Sequence, residues 1–157
     1  MGAGLKMFEH YRERVRGTTI DSSTLLSTDY FNLFNEVIML LGMLPDMPDM
    51  LDEVVAWQYK TYSQHFAESG LAFAPLAIEA YPHAPPALLM SFEQNTEKMR
   101  STVEEAKRVL GDELAAGDAD LFAAKTRVIA FHVMNKVMQL RDNLDAGEPA
   151  AGNDEGQ

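Results

Sequence analysis

The stretch STDYFNLFNEVIMLLGMLPDMPDMLDEVVAWQYKTYSQHF, residues 27–66, decides the fold of this chain. Tyr30, Phe34, Val37, Leu41 and Leu44 recur at spacings of three and four, which places them on one helical face. Leu33, Ile38 and Leu40 widen that face, and the polar residues are few. A helix this apolar needs cover on more than one side. Ser27, Thr28 and Asp29 supply side-chain oxygens for an N-cap.

Pro45 and Pro48 stop this first arm, because proline lacks a backbone donor and biases the preceding residue away from helical angles. The second arm is expected from Met50 to about Ser69, with Asp46 or Asp49 as its cap. Leu51, Val55, Tyr62 and Phe66 form its stripe. A connection this short makes the two arms antiparallel neighbours. Met39, Met43, Met47 and Met50 straddle the turn and read as core filler.

Two further helices follow. Leu89, Phe92, Thr96, Met99, Val103, Ala106 and Leu110 alternate spacings of three and four, a narrow seam on a helix from about Pro86 to Leu110, with Gly111 as the expected C-cap. The last helix is expected from about Asp118 to Leu144. Its main stripe is Phe122, Ile129, Val133, Val137, Leu140 and Leu144. Val128, Phe131, Met134 and Met138 make a second apolar flank, read as an interface. Between the second and third long helices, Pro75 opens a short helical piece, and Pro82, Pro85 and Pro86 force a turning path across the fold.

These features predict an all-α protein: an antiparallel, up-down four-helix bundle with a short N-terminal helical arm and a Pro-rich crossing segment. The expected divisions are an amphipathic arm and linker at 1–22, the bundle domain at 23–146, and a disordered acidic tail at 147–157. The arm presents Leu5, Phe8, Tyr11 and Val15 on one side. Lys6, Arg12, Arg14 and Arg16 outnumber Glu9 and Glu13 there, so it reads either as packed on the bundle or as a basic docking peptide.

The chain has 157 residues, enough for one domain with a real core. It has no cysteine, which excludes disulfides and thiolate chemistry and fits a cytoplasmic setting. Its net charge of −11 disfavours nucleic acid and anionic membranes. No apolar run approaches the ~20 residues of a membrane span.

Motifs for catalysis are missing: there is no phosphate-cradling glycine loop, no serine elbow and no metalloprotease pair. Two polar groups remain as candidate binding residues. Asn32, Asn35 and Glu36 share one face of the most apolar helix; they form either its solvent strip or a polar site. Glu79, Tyr81 and His83 lie in the Pro-rich segment, and Glu79 and His83 are one helical turn apart. Glu-x-x-His does not occur, so a bundle di-iron site is rejected. The spacing of His65, His83 and His132 supports no metal site, and no cofactor is expected. His132 lies one turn from Lys136, as phosphotransfer would require, but His-x-x-Lys-Gly is not matched.

The functional expectation is a helical protein that works by binding a protein partner or by self-association, as adaptor, regulator or assembly subunit. The alternatives are a small enzyme or ligand-binding bundle with a polar site near Asn32, Glu36, Glu79 and His83, and a helical protein that coats a hydrophobic surface such as a storage granule.

Overall fold

The computed structural model describes residues 2–145, with side chains through Asp142. The tail expected at 147–157, with residue 146, lies outside the described residues, as does the side chain of Leu144. Among the described residues every helix or strand assigned is a helix; the one β feature is an isolated bridge between Ile20 and Ser27. The α-helices are α1 (Gly2–Arg14), α2 (Asn32–Met43), α3 (Leu51–Ala56), α4 (Tyr62–Ser69), α5 (Ala74–Ala80), α6 (Pro86–Ala116) and α7 (Ala119–Asp145), with short 3-10 turns before α2, before α3 and after α5. No described helix is long and apolar enough to cross a membrane.

The second arm is not one helix. It breaks between α3 and α4, where Trp57 turns extended (φ −63°, ψ 134°). A new helix then starts at Thr61, whose hydroxyl accepts the Gln64 N–H while the Gln64 side chain accepts the Thr61 N–H. This reciprocal capping box stabilises a helix start that interior propensity alone would not place there. Neither Asp46 nor Asp49 caps α3; its start has no side-chain cap. Gly70 ends α4 in the left-handed region (φ 75°). Gly111 does not end α6, which runs on to Ala116 and turns at Gly117 (φ 85°).

The chain divides into two compact units. The first contains, of the described residues, 2–31, 60–95 and 140–145, and so draws on α1, α4, α5, the start of α6 and the end of α7. Its core is aromatic. Tyr62 stacks on Tyr81 with ring centroids 4.5 Å apart, and Phe92 meets both rings as well as Tyr30. The Tyr62 hydroxyl accepts the Ser27 N–H at 2.8 Å, and the Tyr30 hydroxyl donates to the Lys60 carbonyl at 2.7 Å. These bonds satisfy the polar ends of rings whose bodies are buried. Ile20, in the stretch expected as a linker, is buried, as are Leu25 and Leu26 just beyond it, and the Leu26 carbonyl accepts the Asp21 N–H at 3.0 Å.

The second unit contains residues 32–59 and 96–139: α2, α3, and the larger parts of α6 and α7. Its core takes Phe34, Val37 and Leu41 from α2, Leu51 and Val54 from α3, Met99, Val103 and Leu110 from α6, and Phe122, Val133 and Val137 from α7. The expected stripes of three helices therefore face inward. The methionines do not. Met39 and Met47 are exposed, and Met43 and Met50 half-buried, because they lie off the Val37–Leu41 face of α2 or on the turn beyond it.

Candidate functional site

α7 begins where Gly117 reverses the chain, and Asp118 caps it: Oδ1 accepts the Leu121 N–H at 3.0 Å. The helix then turns Phe122, Thr126, Val133 and Val137 into the core of the second unit. Thr126 is buried without cost to its hydroxyl, which donates to the Phe122 carbonyl one turn back at 2.8 Å. A helix with one stripe buried normally turns polar residues outward. Here the opposite side carries Val128, Phe131, Met134 and Met138, which are 69%, 60%, 37% and 53% exposed, and Leu121 continues the row. These are the four residues that the second apolar flank singled out.

This ridge has a groove on each side within the second unit. Toward α6, a groove of about 700 Å³ is lined by Ala106, Val109, Val128, Ile129 and His132, with Glu105 and Lys125 at its edge. Toward α2, a smaller groove of about 340 Å³ is lined by Ile38, Pro45, Phe131 and Met134, with Asp46 and Arg127 at its edge. Both have mostly apolar walls, the usual character of a binding surface.

The middle of the same helix is cationic, between Asp120 and Asp142. From Leu121 to Arg141 it has Lys125, Arg127, Lys136 and Arg141 and no acidic residue. Lys125 pairs with Glu113 on α6. Among the described residues no ion pair holds Arg127 or Lys136, whereas most other cations of the chain are paired: Arg14 with Glu79, Lys60 with Glu68, Arg100 with Glu97, Lys107 with Glu104 and Arg108 with Glu105.

The Glu79–His83 segment belongs to the first unit. Glu79 accepts the Tyr11 hydroxyl at 2.6 Å and the Arg14 guanidinium at 3.0 Å. The hydrogen bond from Tyr11, then that from Arg14, holds its carboxyl below the usual range. In return the Glu79 carboxylate, with some desolvation, pushes the Tyr11 phenol up. His83 stacks on the Tyr11 ring at 5.1 Å, and Tyr81 donates to Glu93 at 2.7 Å. Beside them a groove of about 800 Å³ runs between Leu5 and Phe8 of α1 and the Pro82–Pro86 segment. The structure thus brings Glu79 and His83 together through Tyr11, a residue the candidate site did not include. A contact 68 residues distant in sequence has no local signature; the surplus of arginine in the arm was its only trace.

Asn32, Asn35 and Glu36 are exposed on α2 in the second unit, where Asn35 Nδ2 donates to Asn32 Oδ1 at 3.3 Å. Their neighbours toward the core are apolar, so the helix has turned its polar strip to water. His132 is exposed on α7. Among the described residues no group of three or more His, Asp or Glu side chains gathers as a metal site.

No family model, curated protein sequence or solved structure matches this chain.

Proposed function

We propose that this protein works by protein–protein interaction, as an adaptor, regulator or assembly subunit, through the outward face of α7. The observation that supports this reading is the continuous exposed row of Val128, Phe131, Met134 and Met138 on a helix whose other side is buried. Contiguous apolar surface of this kind is rare on a monomer without a binding role. On this reading the protein acts in the cytoplasm and binds no nucleic acid, consistent with its charge of −11. The up-down four-helix bundle is the architectural part of the same proposal, and α2, α3, α6 and α7 of the second unit are the segments that would form it.

The test is a double variant, Phe131→Ser with Met138→Ser. The expected result is unchanged helical circular dichroism and an unchanged emission from Trp57, with loss of the complexes seen by native mass spectrometry of protein purified from its own host. Unfolding of the double variant would make both residues core and end the proposal. Complexes that survive in the folded variant would end it as well.

A second reading has one observation in its favour, the apolar groove beside His83 and the Glu79 network. It makes the first unit a carrier for a small apolar ligand. Soaking with an apolar fluorescent probe, with Phe8→Ser as control, tests it: binding insensitive to Phe8 places the probe elsewhere.

A further inference from the structure

We infer that the partner seated on α7 is an acidic amphipathic helix. This rests on the reading of that face as an interface and names what fits it. Successive residues of a helix are about 100° apart, so Leu121, Val128, Phe131 and Met138 form one ridge that also includes Asn135, with Arg127 on one side of it, between Met138 and Met134, and His132 and Lys136 on the other, where Lys125 is held by Glu113. The crest is therefore mainly apolar, and each margin has a cation without an ion pair among the described residues, Arg127 on one and Lys136 on the other. A helix laid against such a surface places its apolar face on the crest and its flanking residues over the margins, and those flanks must be carboxylates to complement the cations.

The charge state of the chain adds weight. Acidic residues number 24 against 13 Lys and Arg, so an exposed cation has many carboxylates of its own chain to choose from. Lys60, Arg100, Lys107 and Arg108 each take one. Arg127 and Lys136 take none among the described residues, as Lys6, Lys98 and Arg141 also do not, and the stretch Leu121–Arg141, between Asp120 and Asp142, contains no acid to offer them. The carboxylates lining the grooves are Asp46 in the smaller and Glu105, which is held by Arg108, in the larger, where Glu113 in addition holds the lining Lys125. A second copy of the chain docked by the same face would set cation against cation, which complementarity disfavours. The two grooves give the occupant anchor points on either side of the crest, and the larger, at about 700 Å³, has the size of a pocket for bulky apolar side chains.

The experiment uses the full chain and a designed amphipathic peptide of about five helical turns, matching the span from Leu121 to Met138, with leucine on one face and glutamate on both flanks. A second peptide has lysine for every glutamate. Binding is read by fluorescence anisotropy. The acidic peptide is expected to bind about tenfold or more tightly than its lysine counterpart, and more weakly as salt is raised. Phe131→Ser should weaken it by about tenfold, and Arg127→Glu should reduce the preference for the acidic peptide. Because Phe131 and Arg127 are exposed, both variants should fold, and circular dichroism checks this.

Equal affinity for the two peptides, no binding of the acidic one, or binding indifferent to Phe131→Ser overturns the inference. Sedimentation velocity separates the remaining occupants. A dimer abolished by Phe131→Ser, without acidic-peptide binding, makes the occupant a second copy; the interface reading then stands and this inference falls. Phe131-dependent cosedimentation with anionic vesicles in place of peptide binding has the same consequence. No effect of Phe131→Ser in any arm removes both.

Discussion

The Lys107 ammonium donates to the main-chain oxygen of Trp57 across 2.6 Å, while the Trp57 indole N–H donates to the Leu33 oxygen at 3.0 Å. Together these bonds join α2, the end of α3 and α6 in the second unit. They also explain why the helix stops at Trp57. A residue whose carbonyl is taken by a lysine 50 positions later need not continue the α-helical ladder. Lys107 is only 15% exposed at its side chain and rests near the Trp57 ring, with Glu104 3.2 Å from its charge. Hydrogen bonds to a charged group contribute about 1.5–3 kcal/mol. Lys107→Met keeps the apolar stem and removes the donor, leaving the Trp57 carbonyl without it. It should lower the free energy of unfolding in urea by about 1–3 kcal/mol, followed by Trp57 emission. An unchanged midpoint would show that water replaces the ammonium at no cost.

The docking of α1 depends on ionisation at both ends of the pH scale. Glu79 has a folded-state pKa below the ordinary carboxylate value of 4.5, chiefly through the Tyr11 hydrogen bond. Its contribution is complete above pH 4.5 and is lost as pH falls through the lower, folded value. Tyr11 is raised above 10.0, chiefly by the bond to Glu79, so its contribution is complete below pH 10 and is lost as pH rises through the folded value. Amide hydrogen exchange of α1, corrected for intrinsic rates, should therefore be slow on a plateau between these limits and accelerate outside them. Glu79→Gln should remove the acid limb, and Tyr11→Phe should speed exchange at neutral pH. A flat profile in the unaltered chain would detach α1 stability from this pair.

His65 gives the first unit a separate pH dependence. It packs edge-on against Tyr30 and Phe66, and its burial is the main reason its pKa is depressed from 6.5. The Lys60 charge adds to the depression, while Asp29 and Glu68 oppose it. A histidine harder to protonate when folded contributes stability that is complete above pH 6.5 and is lost as pH falls through its lower folded value. Thermal unfolding should shift downward as pH drops from neutral toward 5, and His65→Gln should flatten that slope. An equal slope in the variant would assign the effect to other groups.

Leu25 combines full burial with a left-handed backbone, φ 61°. That conformation costs a leucine about 1–2 kcal/mol. It is held by the turn in which the Asp21 carbonyl accepts the Leu25 N–H at 2.7 Å. Leu25→Ala removes the buried side chain and keeps the strain, so it should destabilise by about 2–5 kcal/mol. Leu25→Gly removes both. In most positions glycine is the worse substitution by about 0.5–1 kcal/mol; here it should equal or exceed alanine in stability, measured by urea unfolding of the two variants side by side. The ordinary order would mean that the turn relaxes when the side chain is gone.

Period and punctuation in the chain were enough to establish that it is helical. The seam from Phe92 to Leu110 and the inward stripe of α7 follow from spacings of three and four, because a helix repeats every 3.6 residues and burial must follow that repeat. Asp118 and Pro75 stand where their backbone chemistry placed them. The outward flank of α7 was equally legible, since two apolar stripes on one helix cannot both face the same core. The break at Trp57, the burial of Ile20 in an apparent linker, and the meeting of Tyr11 with Glu79 were not. The Thr61–Gln64 capping box was a local sign of the break, but the bonds that hold Trp57 come from Leu33 and Lys107. Local energies of a few tenths of a kcal/mol per residue set helical preference, and single long-range hydrogen bonds or buried side chains exceed them. Such contacts join positions that no spacing rule relates, so they emerge only when the chain has folded.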